Sequence, residues 1–209
     1  MKDIISQYKH KRAEIRKRLK EFKGIYKKSD RHIFSELCFC ILTPQAKAIS
    51  CDRAIKRLEK NCVLLKGSKE EIRPYLEGVR FPNNKAGYLA EARKIFKNYK
   101  GIKIKDKIDT KDILKTRDWL ANNIKGFGYK EASHFLRNIG FGKDLAILDR
   151  HILKNLKKYG IIKRIPGSLS KKEYLYIEEK MKGFFKKLNI SLEEIDLLFW
   201  SKETGVIFK

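Results

Sequence analysis

The sequence predicts an all-α protein on three observations. Apolar residues recur at helical spacing along almost all of its 209 residues, alternation of the strand kind is confined to Gly101-Ile102-Lys103-Ile104-Lys105, and the segments are separated by compact turn signals. Ile15, Leu19 and Phe22 mark an opening amphipathic helix, Ile33, Leu37, Phe39, Cys40 and Ile41 a mostly buried second one, and Ala54, Ile55, Leu58 and Cys62 a third. Breaks follow at Pro44, Gly67-Ser68, Pro74, Phe81-Pro82-Asn83-Asn84 and from Asp106 to Asp109. Thr110 is expected to cap a helix carrying Ile113, Leu114, Trp119 and Leu120. After a glycine-rich turn, Ala132, Phe135, Leu136 and Ile139 continue at helical spacing until Gly140 stops them. Beyond a turn at Ile165-Pro166-Gly167-Ser168, Ser170 and Ser191 are expected to cap the last helices. Tyr174, Ile177 and Met181 lie on one face there, and Ile195, Leu198 and Phe199 on another. There is no internal repeat and no low-complexity linker.

Composition narrows the partner. Fifty Lys and Arg against twenty-five Asp and Glu give a net charge of +25 at pH 7, spread over the chain, and a polyanion is the expected ligand. Charge alone separates neither DNA from RNA nor an enzyme from an architectural protein. A hydrophobic content of 42% suits a folded core, no apolar run approaches the roughly 18 residues of a membrane helix, and the basic N-terminus lacks a signal-peptide apolar core. An intracellular, cytoplasmic location is therefore expected. Cys38, Cys40, Cys51 and Cys62 all lie in the first third, at spacings that match no common zinc or redox motif, so reduced buried thiols are expected.

The sharpest signal is Ile124-Lys125-Gly126-Phe127-Gly128-Tyr129-Lys130, followed nineteen residues after Lys130 by Asp149 in Leu148-Asp149-Arg150-His151. Two glycines with apolar residues interleaved, flanked by helical patterns, predict a tight hairpin between helices. Such a turn presents backbone N–H groups at a helix N-terminus, where a phosphate can dock without any base being read. Lys125, Gly126, Phe127 and Gly128 are thus the expected DNA-backbone contacts. Asp149 also suits an N-cap for a helix starting before Ile152-Leu153, and capping and chemistry can share one carboxylate.

With Lys130 and Asp149 so placed, the segment from Ile124 to Leu153 resembles the signature of the helix-hairpin-helix DNA glycosylase superfamily. Leu37-Cys38-Phe39-Cys40-Ile41-Leu42-Thr43, Gly128-Tyr129-Lys130-Glu131-Ala132-Ser133-His134-Phe135-Leu136-Arg137-Asn138 and the stretch from Trp200 to Lys209 resemble the archaeal type-two 8-oxoguanine DNA glycosylase/AP lyase family. The resemblance implies two helical lobes, residues 31–142 and residues 1–30 with 143–209, and an active site in the cleft between them. It implies an archaeal source and double-stranded DNA containing 8-oxoguanine as the partner. It also implies that Lys130 attacks C1′ and expels the base, that Asp149 stabilises the positive charge developing on the sugar or assists proton movement, and that the resulting Schiff base leads to strand cleavage by β-elimination. Gln45 would fill the space the flipped nucleotide leaves and Phe81 would wedge between base pairs, whereas their bland roles are a helix-start surface residue and a core aromatic. His134, four residues after Lys130, Trp200 and Lys209 would border the extruded base. The C-terminal carboxylate at Lys209 is a suitable acceptor for the N7 hydrogen that distinguishes 8-oxoguanine from guanine, and Val206, Ile207 and Phe208 are expected to anchor it.

Some relatives carry a four-cysteine iron–sulfur loop after the catalytic aspartate. No cysteine follows Cys62 here, so no iron–sulfur cluster, and no other cofactor, is expected, and the enzyme should act as a monomer. Two other readings stay open on the residues alone: a glycosylase for oxidised pyrimidines or mismatched bases, and a non-catalytic helix-hairpin-helix DNA-binding protein.

Overall fold

The computed structural model describes residues 2–209, and among them ten α-helices and one two-residue antiparallel ladder. The helices are α1 (Lys2–Ile25), α2 (Asp30–Leu42), α3 (Ala48–Lys60), α4 (Lys69–Ile72), α5 (Pro82–Phe96), α6 (Ile113–Asn123), α7 (Tyr129–Asn138), α8 (Arg150–Lys158), α9 (Lys171–Lys186) and α10 (Leu192–Thr204). None of them is long and apolar enough to cross a membrane. The fold class is all-α, as the helical spacing predicts.

The chain divides into two compact units, residues 27–135 and residues 1–26 with 136–209. In the first, α2 packs on α3 and α5, and α4 on α5. Phe34, Leu37, Phe39, Ile41, Leu89, Phe96 and Leu120 are buried there, with Phe96 meeting both Phe34 and Trp119 edge-on. In the second, α1 and α8 pack on α10, over a core that includes Ile4, Ile15, Met181, Phe185, Ile195 and Phe199. A buried Arg137–Asp196 ion pair (3.4 Å) links the end of α7 to α10, with the Arg137 guanidinium lying over the Phe22 ring.

Several local expectations change. Asp112, not Thr110, caps α6: the Asp109 carboxylate already receives the Lys111 and Asp112 N–H groups in a turn, so the first free helical N–H, that of Lys115, finds Asp112 Oδ1 at 2.9 Å. Leu114 is exposed on that helix, while Leu120 is buried. The ladder pairs only Lys97 with Ile102 and Asn98 with Gly101. Its first strand begins directly where α5 ends, and beyond its second the Lys105 N–H turns to Asp30 Oδ1 (2.9 Å) as the chain enters a 3-10 turn. Ser170 and Ser191 stand at their helix starts, the first accepting the Glu173 N–H and the second donating to Glu194 from both backbone and hydroxyl. Cys38, Cys40 and Cys51 are buried, whereas Cys62 is exposed at the left-handed residue that ends α3.

Candidate active site

The hairpin is built by apolar burial below and one backbone constraint above. Ile124 and Phe127 are buried, and the Phe127 N–H closes the turn on Ile124 O at 3.0 Å. Gly126 sits at φ +87°, and a Cβ there would come within 2.7 Å of the Tyr88 ring, so both conformation and space demand glycine. Gly128 is not in the left-handed region; its part is to start α7. Gly126→Ala is expected to cost about 2 kcal/mol from the left-handed penalty and the ring contact together, read by urea unfolding, and to weaken duplex binding in the same samples.

The two helices flanking the turn are locked by side chains the hairpin pattern does not reveal. The buried Arg117 of α6 reaches Ser133 of α7 and lies over the Tyr129 ring, and the Tyr129 hydroxyl bonds Asp118. Lys125, on the turn, pairs with Glu91 at 3.3 Å and lies near the Tyr88 ring.

Lys130 occupies the first turn of α7, its side chain about a quarter exposed and its Nζ 3.2 Å from Glu131 Oε1. The other oxygen of that carboxylate accepts the Gly128 N–H at 3.0 Å. Glu131 therefore makes the acid's half of a capping box, reaching back to the N–H of the residue before the helix and holding the amine at the same time. The sequence reading overlooked it, although an acid three residues after a helix start is a readable signal.

His134 lies one turn further along α7, only 6% exposed, and meets Phe39 of α2 edge-on at 5.7 Å. Gln45 is exposed and lies at φ +55°; Phe81 is 47% exposed at φ +59°, with the Arg80 guanidinium over its ring. Phe81 is thus not a core aromatic. Four non-glycine residues have positive φ among those described: Gln45, Cys62, Phe81 and Asn189. Cys62 and Asn189 end α3 and α9 in ordinary left-handed caps, with Val63 N–H on Leu58 O and Ile190 N–H on Phe185 O. Gln45 and Phe81 terminate no helix in this way, and their strain needs another account.

A second residue the sequence reading missed is Lys85 of α5, a lysine only 4% exposed. Its Nζ donates to Leu42 O (2.7 Å) and Pro44 O (2.8 Å). Burial, aided by the nearby charges of Lys130 and Arg80 and opposed by Cys51 and Glu131, lowers its pKa to about 8. Burial likewise raises the Cys51 thiol to about 11.

Asp149 stands in the other unit, after the buried run Leu145 to Leu148. That run is held by polar groups of α9: the Ala146 N–H bonds Glu178 at 2.7 Å, and the Tyr174 hydroxyl donates to Ala146 O and accepts the Leu148 N–H. Asp149 then N-caps α8, its Oδ1 accepting the Ile152 N–H at 2.8 Å. The cap fixes the direction of the carboxylate. In the same unit Trp200 is half-buried on α10 and tilts against Phe208 at 6.4 Å. Gly205 breaks the helix at φ +79°, Ile207 is buried, and Lys209 is half-buried; Val206, expected to anchor the segment, is exposed. Among the described residues no group of three or more His, Cys, Asp or Glu could hold a metal ion.

Lys130 thus sits in the first turn of α7, directly behind the glycine hairpin. With a capped aspartate following at nineteen residues, the class is that of the helix-hairpin-helix DNA glycosylases. Comparison with known proteins narrows it further. The family model for 8-oxoguanine DNA glycosylase (Ogg-HhH) matches residues 15–190. An 8-oxoguanine DNA glycosylase/AP lyase of Fusobacterium nucleatum is 48% identical over 209 residues, 99% of this chain and 96% of the relative. The crystal structure of the Methanocaldococcus jannaschii 8-oxoguanine DNA glycosylase superposes with a TM-score of 0.88 at 40% identity, covering 100% of this chain and 95% of that one. The same enzyme in complex with a 15mer DNA containing 8-oxoguanine gives 0.88 at 37% identity, covering 99% of each. The chain belongs to the 8-oxoguanine DNA glycosylase family, whose members here come from bacteria as well as archaea.

Proposed function

We propose that Lys130 and Asp149 carry out the family's reaction in this chain, excising 8-oxoguanine from duplex DNA and then cleaving the strand. The observation that carries this reading is the setting of Lys130, whose amine is held by Glu131 in the first turn behind the hairpin. The neutral amine attacks C1′; the N-glycosidic bond breaks and its electron pair leaves with the base, which takes up a proton. Asp149, fixed by its cap, stabilises the positive charge that develops on the sugar. Loss of a proton from the attached nitrogen and opening of the ring leave an iminium between Lys130 and C1′. That group acidifies the C2′ hydrogens, so removal of one expels the 3′ phosphate by β-elimination, and water later releases the enzyme.

In this reading Lys125 to Gly128 grip the backbone, Gln45 and Phe81 enter the duplex, and His134, Trp200 and Lys209 border the extruded base. The exposure of Phe81 supports its part, and the burial of His134 suits a pocket wall better than an open stacking platform. The protein is read as an intracellular monomer that needs no cofactor, since amine chemistry supplies its own electrophile.

The test is borohydride trapping on duplexes carrying 8-oxoguanine opposite cytosine, with uracil, thymine glycol and undamaged guanine as controls. A covalent adduct confined to 8-oxoguanine is expected. An adduct on thymine glycol or uracil instead would transfer the mechanism to a pyrimidine or mismatch enzyme. Tight binding with no adduct on any duplex would leave only a DNA-binding module or a glycosylase without lyase chemistry.

A further inference from the structure

The two exposed residues with unexplained left-handed backbones, Gln45 and Phe81, are joined through a single residue, Lys85. The backbone N–H of Lys85 bonds Phe81 O at 3.1 Å in the first turn of α5, and its ammonium, at the other end of the same residue, bonds Leu42 O and Pro44 O. We propose that Lys85 is a positioning residue that sets Gln45 and Phe81 as one two-pronged unit for entering the duplex. This rests on the reading of Gln45 and Phe81 given above.

The bond to Pro44 O is the decisive one. Thr43 to Ala46 form a β-turn closed by the Ala46 N–H on Thr43 O at 3.0 Å, with Pro44 second and Gln45, at φ +55°, third. That is the pattern of a type II turn, which favours glycine at the third place. Types I and II differ by a flip of the central peptide, here the one between Pro44 and Gln45, and its carbonyl is the group Lys85 holds. With the carbonyl pinned, Gln45 must take the left-handed conformation. Released, the peptide turns over, Gln45 relaxes to negative φ, and its side chain leaves in another direction. Leu42 O, at the end of α2, is one of the terminal carbonyls a helix cannot satisfy itself, and Lys85 shares it with the Cys51 thiol (3.2 Å).

A lysine suits this place for a reason that goes beyond packing. Two converging carbonyls in a buried site need a compact donor with more than one hydrogen, which the amine supplies in either protonation state. The same burial that seats the amine between the two carbonyls lowers its pKa to about 8. Because Phe81 O is bound by the same residue, a shift of α5 that moves one prong moves the other.

The experiment compares the full-length wild type with Lys85→Met on two substrates: the 8-oxoguanine duplex, and a single-stranded abasic oligonucleotide that has no base to extrude and no gap to fill. Duplex excision should fall about 100-fold, the size of effect a misplaced positioning group produces. Cleavage and borohydride trapping of the single strand should fall by no more than about threefold. With 2-aminopurine opposite the lesion, the fluorescence rise on binding should shrink in the variant. Should Lys85→Met fail to fold, Lys85→Gln, which keeps an amide donor in the site, serves the same comparison. An equal loss on both substrates overturns the proposal, since Lys85 would then act on Lys130 or on the fold at large; an undiminished duplex rate overturns it as well. A wild type that cleaves neither substrate defeats the reading of Lys130 instead.

Discussion

Lys130→Gln should form no borohydride adduct with 8-oxoguanine DNA and should lose excision by on the order of 10³-fold or more, at least about 4 kcal/mol of barrier. The amide has no basic lone pair to attack C1′, and no Schiff base can form through it. The substitution is otherwise mild. Lys130 is on a helix surface, its partner Glu131 keeps the Gly128 N–H, and a glutamine can still donate to that carboxylate. Unfolding free energy should therefore change by less than about 1 kcal/mol. Duplex affinity should stay within about threefold, because one charge among fifty basic residues is removed. Single-turnover excision, fluorescence anisotropy and urea unfolding on the same preparations separate the three quantities. Excision that survives with the adduct gone would mean that water, not the amine, displaces the base.

Asp149→Asn is the second large effect, and its value lies in what it leaves alone. Asparagine is as good an N-cap as aspartate, so the bond to the Ile152 N–H and the start of α8 survive. Base excision should nevertheless fall about 10²–10³-fold, the cost of removing a fixed charge from a developing cation. Asp149→Ala should fall as far in rate but also lose the cap, about 1 kcal/mol, seen as a melting temperature lower by about 2–4 °C in a chain of this size. If Asn and Ala were equally unstable, the cap would not be what holds this helix; if Asn kept full activity, the carboxylate's charge would be idle.

How far the site can be read from the amino acids depends on whether a residue's role is local. The hairpin, the Ser170 and Ser191 caps and the cap at Asp149 follow from short-range rules, since each is decided within four residues of its own position. Thr110 satisfies the same local rule as Asp112, and only the Asp109 turn, which takes the Lys111 and Asp112 N–H groups, decides between them. Glu131 was also local and was passed over for the more conspicuous lysine beside it. Lys85 is of another kind. Nothing near it separates it from the other basic residues, because its partners Leu42 and Pro44 are some forty positions away and its burial is made by the packing of α2 on α5. The strained backbone of Gln45 is invisible for the same reason: a tertiary contact, Lys85 on Pro44 O, holds it against its own preference.

That last feature bears on how such a protein can be improved. Glycine at position 45 or 81 would adopt the observed backbone at no steric cost, so a laboratory selection for heat tolerance alone has an easy step available at both places. Each step would also discard the side chain that reads as intruding into DNA. The gain in robustness and the loss of repair would then arrive in the same substitution, and only a selection that scores survival under oxidative damage together with survival under heat would keep the glutamine and the phenylalanine in place.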